Sequence, residues 1–154
     1  TYADTEAYQQ LNSVIAIGSG QLWGKGLNNT DIASVKNGNF LPESQTDFIF
    51  AVIGEELGFI GSAAVILLLI LIAMRCVSIA RVAKDTAGMV IAAGMGSLIG
   101  IQGFMNIAVA TMMMPNTGLP LPFVSYGLSS LVSMYIGFGF VLNVGLQRKN
   151  LYNL

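Results

Sequence analysis

Two carboxylates, Glu43 and Asp47, lie four residues apart just before a long apolar run. The sequence contains no histidine, which excludes Ser-His, Cys-His and His-metal sites and leaves carboxylates as the acids or bases near neutral pH. On a helix the two acids would share a face, and apolar neighbours such as Phe48 and Phe50 would favour protonation of one of them. Asp47 is therefore a candidate base. It could equally be an ordinary helix-start acid, since Pro42 suits a first helical turn and acids favour the positive end of a helix dipole.

Three uncharged runs predict the elements that must position these acids. Residues 57–74 lie between Glu56 and Arg75, and as a helix they would cover about 27 Å, close to the thickness of a bilayer's hydrocarbon core. Two further uncharged runs cover residues 87–114 and 123–146. The composition, 54% hydrophobic and 10% charged, agrees with an all-α integral membrane fold. The alternative is the buried core of a soluble protein.

Basic residues predict the orientation, because Lys and Arg near membrane helices favour the cytoplasmic side. The cations cluster in the first link and after the last run, whereas most acids precede residue 57. We therefore predict an extracellular region with an interfacial helix (1–56), followed by a transmembrane helix (57–74). A cytoplasmic link (75–86) leads to a second transmembrane helix (87–112). An extracellular re-entrant link (113–123) leads to a third transmembrane helix (124–146), and a cytoplasmic tail follows (147–154). The net charge of −1, without a basic cluster, argues against nucleic acid as a partner.

The predicted extracellular region contains the other candidate ligands. Residues 8–17 are typical of a helix end, and the glycines around Trp23 predict a folded loop after it. Trp23 could be an interfacial anchor or could stack on a sugar. Lys25 and Lys36 are the cations on this side, so they could attract a phosphate or diphosphate, or they could be solvated loop lysines.

Polar residues within the later runs need partners in lipid. Gln102 and Asn106 lie on one helix face and are expected to bond another helix, or less simply to line a substrate path. Gly96 and Gly100 form a small-residue pair that allows close helix approach. The link that follows has three prolines within eight residues, which predicts a re-entrant corner beside a cavity. The hydroxyls that could line this cavity are those of Ser125, Tyr126 and Ser129. Tyr126 could also be an interface anchor.

Three strings carry a family resemblance. They are Leu-Pro-Glu-Ser-Gln-Thr-Asp-Phe-Ile-Phe-Ala-Val-Ile-Gly-Glu-Glu-Leu-Gly-Phe-Ile-Gly (41–61), Ile-Ala-Ile-Gly-Ser-Gly (15–20) with Gly-Lys-Gly (24–26), and Thr-Gly-Leu-Pro-Leu-Pro-Phe-Val-Ser-Tyr-Gly (117–127). In this order and spacing they resemble the SEDS family of FtsW, RodA and SpoVE, and the Pro-Leu-Pro-Phe form looks more RodA-like. Two positions depart from the family: Gln45 replaces a frequent histidine, and Leu128 replaces a glycine, which makes the corner backbone less permissive.

The resemblance implies a bacterial peptidoglycan glycosyltransferase of the plasma membrane that polymerises lipid II. Members have about ten membrane helices, so the chain, which begins with Thr1, resembles the large extracellular loop and the last three, a piece expected to be inactive alone. Asp47 matches the family's essential loop aspartate and would be the general base of an inverting transfer with undecaprenyl diphosphate as leaving group. Elongation, division and sporulation are all compatible roles. The implied partner is a class B penicillin-binding protein, a transpeptidase.

Two other functions remain alternatives. The protein could move lipid II across the membrane, although a transport path needs polar residues within the spans and few are present. It could also be a non-catalytic scaffold of the cell-wall machinery. No complete metal site is evident, yet Glu43 and Asp47 could contribute oxygen ligands to a divalent cation, Mg²⁺ or Mn²⁺, that helps the diphosphate leave.

Overall fold

The computed structural model describes residues 2–26 and 48–147, and every regular element in these two ranges is a helix. There are four: α1 (Tyr2–Ser19), α2 (Ile49–Arg81), α3 (Thr86–Ala110) and α4 (Leu128–Leu146). The largest interface joins α2 and α3, α1 packs across α2 and touches α3, and α4 packs on α3 and α2. The described part of the chain is therefore all-α, as the sequence predicts.

Three of these helices, α2, α3 and α4, are long and apolar enough to cross a membrane. In their most apolar windows only 17%, 28% and 11% of the residues are buried. A soluble protein would bury such surfaces, so the alternative of a water-soluble core loses its support. The helix bounds differ from the predicted spans at both links. At the first link α2 continues to Arg81, so the turn before α3 is confined to residues 82–85. At the second link the helices are shorter than predicted, since α3 ends at Ala110 and not 112, and α4 begins at Leu128 and not 124.

Helix α2 is broken at one residue, Gly58. Its φ of 67° and ψ of −163° interrupt an otherwise helical backbone, so α2 consists of a short first piece ending at Leu57 and a long second piece beginning at Phe59. Such a combination of angles is essentially restricted to glycine. The break follows directly on Leu57, where the sequence predicts that a surface helix gives way to a span. The predicted start of that surface helix, near Pro42, lies outside the described residues.

Small residues let α2 and α3 approach each other closely. A Cβ atom on Gly96 would lie 3.1 Å from the Cβ of Cys76 and 3.2 Å from the carbonyl oxygen of Ala73. Cys76 is fully buried in this contact, so its side chain fills the helix interface. Gly100 is exposed and lies only at the margin, since its Cβ would be 4.0 Å from that of Ala73. Close approach thus depends on Gly96.

Candidate active site

The residue that follows the candidate base is anchored in the protein. Phe48 is 1% exposed and packs with Ala16 of α1, Ala51 of α2 and Val109 of α3. Phe50 is also buried, in the main core. The two rings therefore face neighbouring helices and not lipid, because the start of α2 is wedged between α1 and α3. Asp47, Glu43 and Lys36 lie outside the described residues.

The loop after α1 is inserted into the break of α2. In an unbroken helix the carbonyl of Glu55 would accept the N–H of Phe59, and that of Glu56 the N–H of Ile60. Here the N–H groups of Lys25 and Gly26 donate to Glu55 and Glu56 at 2.9 and 3.1 Å. The other halves of the two lost bonds are completed by loop carbonyls: Phe59 N–H donates to Gln21 at 2.8 Å and Ile60 N–H to Leu22 at 3.3 Å.

We call this arrangement of residues 21–26 and 55–60 the splice. It supplies hydrogen-bond partners to four backbone groups at the break, the carbonyls of Glu55 and Glu56 and the N–H groups of Phe59 and Ile60. Such groups are costly without partners at the edge of a membrane, where non-helical backbone is tolerated only when the protein satisfies it internally. The splice therefore holds the loop after α1 against α2 through four hydrogen bonds, at the level where the apolar stretch of α2 begins.

An ion pair reinforces the splice. The Lys25 Nζ lies 3.1 Å from Oε1 of Glu55, with 31% of the lysine side chain exposed but only 2% of the glutamate. Lys25 is thus not a freely solvated loop lysine, as one interpretation of the sequence had it. Glu55 is a functional candidate that the sequence reasoning missed. The sequence does place the Glu55 carboxylate at the very start of an apolar run. A carboxylate that is buried there requires a cation partner, and this requirement could have identified it.

Two cavities flank the splice. A cavity of about 340 Å³, lined by both polar and apolar groups, is bounded by the loop itself, residues 19–25. Trp23 lines this cavity and is 81% exposed, which is compatible with both predicted roles of its ring. On the other side an apolar cavity of about 560 Å³ lies between the end of α1, α2 and α3, with Phe50, Phe59 and Ile107 among its lining residues.

Two amides of α3 hold the proline-rich link. Gln102 Nε2 donates to the carbonyl of Pro120 at 2.9 Å, and Asn106 Nδ2 donates to that of Leu119 at 2.7 Å. The expectation that these amides bond another helix is therefore wrong. The physical reason is that a link with three prolines forms few backbone bonds of its own, so its carbonyls at this depth take side-chain donors instead.

We expect the substitution Asn106→Leu to lower the free energy of unfolding by about 1 to 2 kcal/mol, because it removes the donor from a carbonyl in a dry environment. The thermal unfolding midpoint of the detergent-purified full-length protein measures this effect. Ser133→Ala is the matched control: its exposed hydroxyl bonds Ser129 within α4, where the carbonyl is already part of a helix. An unchanged midpoint for Asn106→Leu would show that the link does not depend on this amide.

The hydroxyls of the link differ in their environment. Ser125 is buried, and its Oγ accepts the N–H of Leu121 at 2.7 Å, so this hydroxyl stabilises the corner. Tyr126 is 71% exposed. Leu128 begins α4 with an exposed side chain, and the extended residue before it is Gly127, so the departure at Leu128 does not strain the corner. Positive φ occurs instead at Phe123, whose ring contacts Tyr135 and Phe138 edge-on.

Metal ligands are not assembled in residues 2–26 and 48–147, where no group of three or more His, Cys, Asp or Glu side chains could hold an ion. The carboxylates proposed for a divalent cation, Glu43 and Asp47, lie outside these ranges. The cation therefore stays a prediction of the sequence alone.

The chain is similar in sequence and in fold to known proteins. The sequence is 45% identical over 142 residues to "Stage V sporulation protein E" of Bacillus subtilis (strain 168), across 92% of this chain and 38% of that protein. It is 43% identical over 144 residues to "Peptidoglycan glycosyltransferase MrdB" of Escherichia coli (strain K12), across 94% of this chain and 38% of that protein.

A similar fold occurs in a solved structure described as "Structural coordination of polymerization and crosslinking by a peptidoglycan synthase complex". The TM-score is 0.68 at 28% identity, over 91% of this chain and 38% of the other. The chain thus spans 38% of the length of each of these three proteins. The similar identities to the first two do not separate the branches of the family, so the RodA-like subassignment stays a prediction.

Residues 1–150 match the family FTSW_RODA_SPOVE, described as "Cell cycle protein". This match confirms the resemblance carried by the three sequence strings. The chain belongs to the FtsW/RodA/SpoVE family of cell cycle proteins.

Proposed function

We propose that the whole protein polymerises lipid II into peptidoglycan glycan strands, with Asp47 as the general base. The observation that carries the proposal is the setting of the Asp47 motif. Asp47 directly precedes Phe48, which is buried where α1, α2 and α3 meet, and Phe50 lines the 560 Å³ apolar cavity. The segment that follows Asp47 in sequence is thus packed beside an apolar cavity, and such a position suits a substrate with a polar head and a hydrocarbon tail. Relatives named as peptidoglycan glycosyltransferases support the same reaction.

The reaction needs one base and one leaving group. Asp47 accepts the proton of an acceptor sugar hydroxyl while the hydroxyl oxygen attacks the anomeric carbon of the donor. The bond from that carbon to the diphosphate oxygen breaks, its electron pair leaves with undecaprenyl diphosphate, and the configuration at the sugar is inverted. Further contacts to the substrate come from Glu43, Lys25, Lys36 and Tyr126, whereas Ser125 contributes by shaping the corner of the link.

The membrane placement follows from the same reasoning. Residues 1–56 lie on the extracellular face of the bacterial inner membrane and the C-terminus lies in the cytoplasm, with the second piece of α2, α3 and α4 as the three spans. The positive charges support this orientation, since Arg75, Arg81 and Lys84 follow the span of α2 at the end opposite to the splice. Cysteine-scanning with a membrane-impermeant thiol reagent at Trp23 and Lys84 tests it: only position 23 should react from outside in intact cells.

The protein is further proposed to work with a class B penicillin-binding protein. The support is the similar chain in a structure described as a peptidoglycan synthase complex. Lipid transport is less well supported by the described residues, because the span amides Gln102 and Asn106 are engaged by the link. A supply of lipid II to the full-length protein and its partner separates the functions: chain growth indicates polymerisation, and movement of lipid II across vesicles without growth indicates transport.

A further inference from the structure

The splice presents a cation in an unusual way. Lys25 is bound twice to the same residue, through its backbone N–H to the Glu55 carbonyl at 2.9 Å and through Nζ to the Glu55 carboxylate at 3.1 Å. The acid is buried and the ammonium reaches the surface. A lysine normally has high rotamer freedom, so this double attachment restricts its ammonium to a small region.

The position of this ammonium fits one class of ligand. The splice immediately precedes the apolar stretch of α2, and the other described cations, Arg75, Arg81 and Lys84, lie at or beyond the opposite end of that helix. Among residues 2–26 and 48–147, Lys25 is therefore the cation at this boundary. The anion of a lipid-linked sugar that occupies the same level is its diphosphate, and lysine ammonium groups are common ligands of phosphate oxygens.

We propose that Glu55 is a positioning residue, which holds the Lys25 ammonium at the membrane boundary so that it donates to a diphosphate oxygen of the lipid-linked substrate. This inference rests on the proposed function and names the part of the substrate that is bound. Because the carboxylate compensates the charge of the lysine at long range, the contact is a directed hydrogen bond and not a general attraction for anions. The cavity along residues 19–25, which Lys25 itself lines, provides the space for the diphosphate.

Two double variants of the full-length protein with its partner test the proposal. In Lys25→Gln/Glu55→Gln the amides retain a hydrogen bond and leave no buried charge, so the thermal midpoint should stay near wild type. The KM for lipid II should rise about tenfold while kcat changes less than threefold, because one charge-assisted contact is lost. In Lys25→Glu/Glu55→Lys the ion pair is kept but the ammonium is moved to the buried position, so KM should be raised above the wild-type value as in the neutral pair.

The single variant Lys25→Arg keeps a surface cation. Its KM should therefore lie within about threefold of the wild-type value.

A purely structural ion pair gives the opposite result. If the charge-swapped protein has the wild-type KM, or if the neutral pair leaves KM unchanged, the pair only holds the splice together and the proposal is wrong. A swapped protein that fails to fold leaves the decision to the neutral pair.

Binding measurements separate this proposal from the catalytic one. The Asp47→Asn protein, whether or not it polymerises, should bind undecaprenyl diphosphate in detergent, and the neutral pair should weaken that binding about tenfold. Binding of phosphatidylglycerol should not change. An equal loss for both lipids would show that Lys25 contacts phospholipid headgroups and would overturn the assignment to the diphosphate.

Discussion

Asp47→Asn should reduce glycan polymerisation on lipid II by about a thousandfold, within the range that a positioned general base contributes. Asparagine has nearly the same size as aspartate but cannot accept the proton of the attacking hydroxyl. The loss should therefore be in kcat, with the KM for lipid II altered less than threefold. Strand length and initial rate, measured with the full-length protein and its partner, provide the readout.

Asp31→Asn is the matched control for this experiment. It makes the same chemical change within the same predicted extracellular region, but its neighbours do not form part of the family string. We expect near wild-type polymerisation. Undiminished growth in Asp47→Asn would reject the catalytic-base hypothesis and favour the scaffold or transport alternatives, provided that both variants are present in the membrane at equal levels.

Gly58→Ala should destabilise the protein by about 3 to 5 kcal/mol, the sum of backbone strain and steric overlap. An added Cβ would lie 2.8 Å from the carbonyl oxygen of Leu22, and the φ of 67° is itself unfavourable for alanine. Gly24→Ala is expected to act similarly, since its φ is 78° and its Cβ would lie 2.7 Å from the backbone nitrogen of Gly58. In both cases the neighbours are backbone atoms of the splice, which cannot move aside as a side chain could.

Gly94→Ala isolates the effect of the splice from the general effect of replacing glycine. A Cβ at Gly94 of α3 meets nothing within 4 Å, and alanine is the better helix former. The thermal midpoint should therefore stay the same or rise. If Gly58→Ala unfolds at the wild-type temperature, the break in α2 is not maintained by the conformation of this glycine.

The membrane helices were predictable because their signal is local. Uncharged runs of sufficient length identify α2, α3 and α4 directly, and the loop after α1 was evident from the glycines around Trp23. The pair Gly96 and Gly100 was predicted to allow close helix approach, and only Gly96 does so, by packing on Cys76. Which glycine faces a neighbouring helix depends on the rotation of α3 about its axis, and the spacing of the glycines does not specify that rotation.

The splice could not be predicted because its bonds connect residues 30 to 38 positions apart in sequence. Gly58 looks like any glycine near the start of a membrane helix, and Glu55 has no cation at helical spacing. The same limitation explains the error over Gln102 and Asn106. A sequence shows that a buried amide needs an acceptor, but the acceptors here are carbonyls of a link whose path depends on the tertiary fold.

The splice also limits how this protein could be recombined with its relatives. Because Gln21–Gly26 and Glu55–Ile60 complete each other's hydrogen bonds, a chimera that takes the loop from one parent and the broken helix from another joins surfaces that were selected separately. Viable crossover points should fall outside the interval from residue 20 to residue 60, so that both segments of the splice are inherited from the same parent.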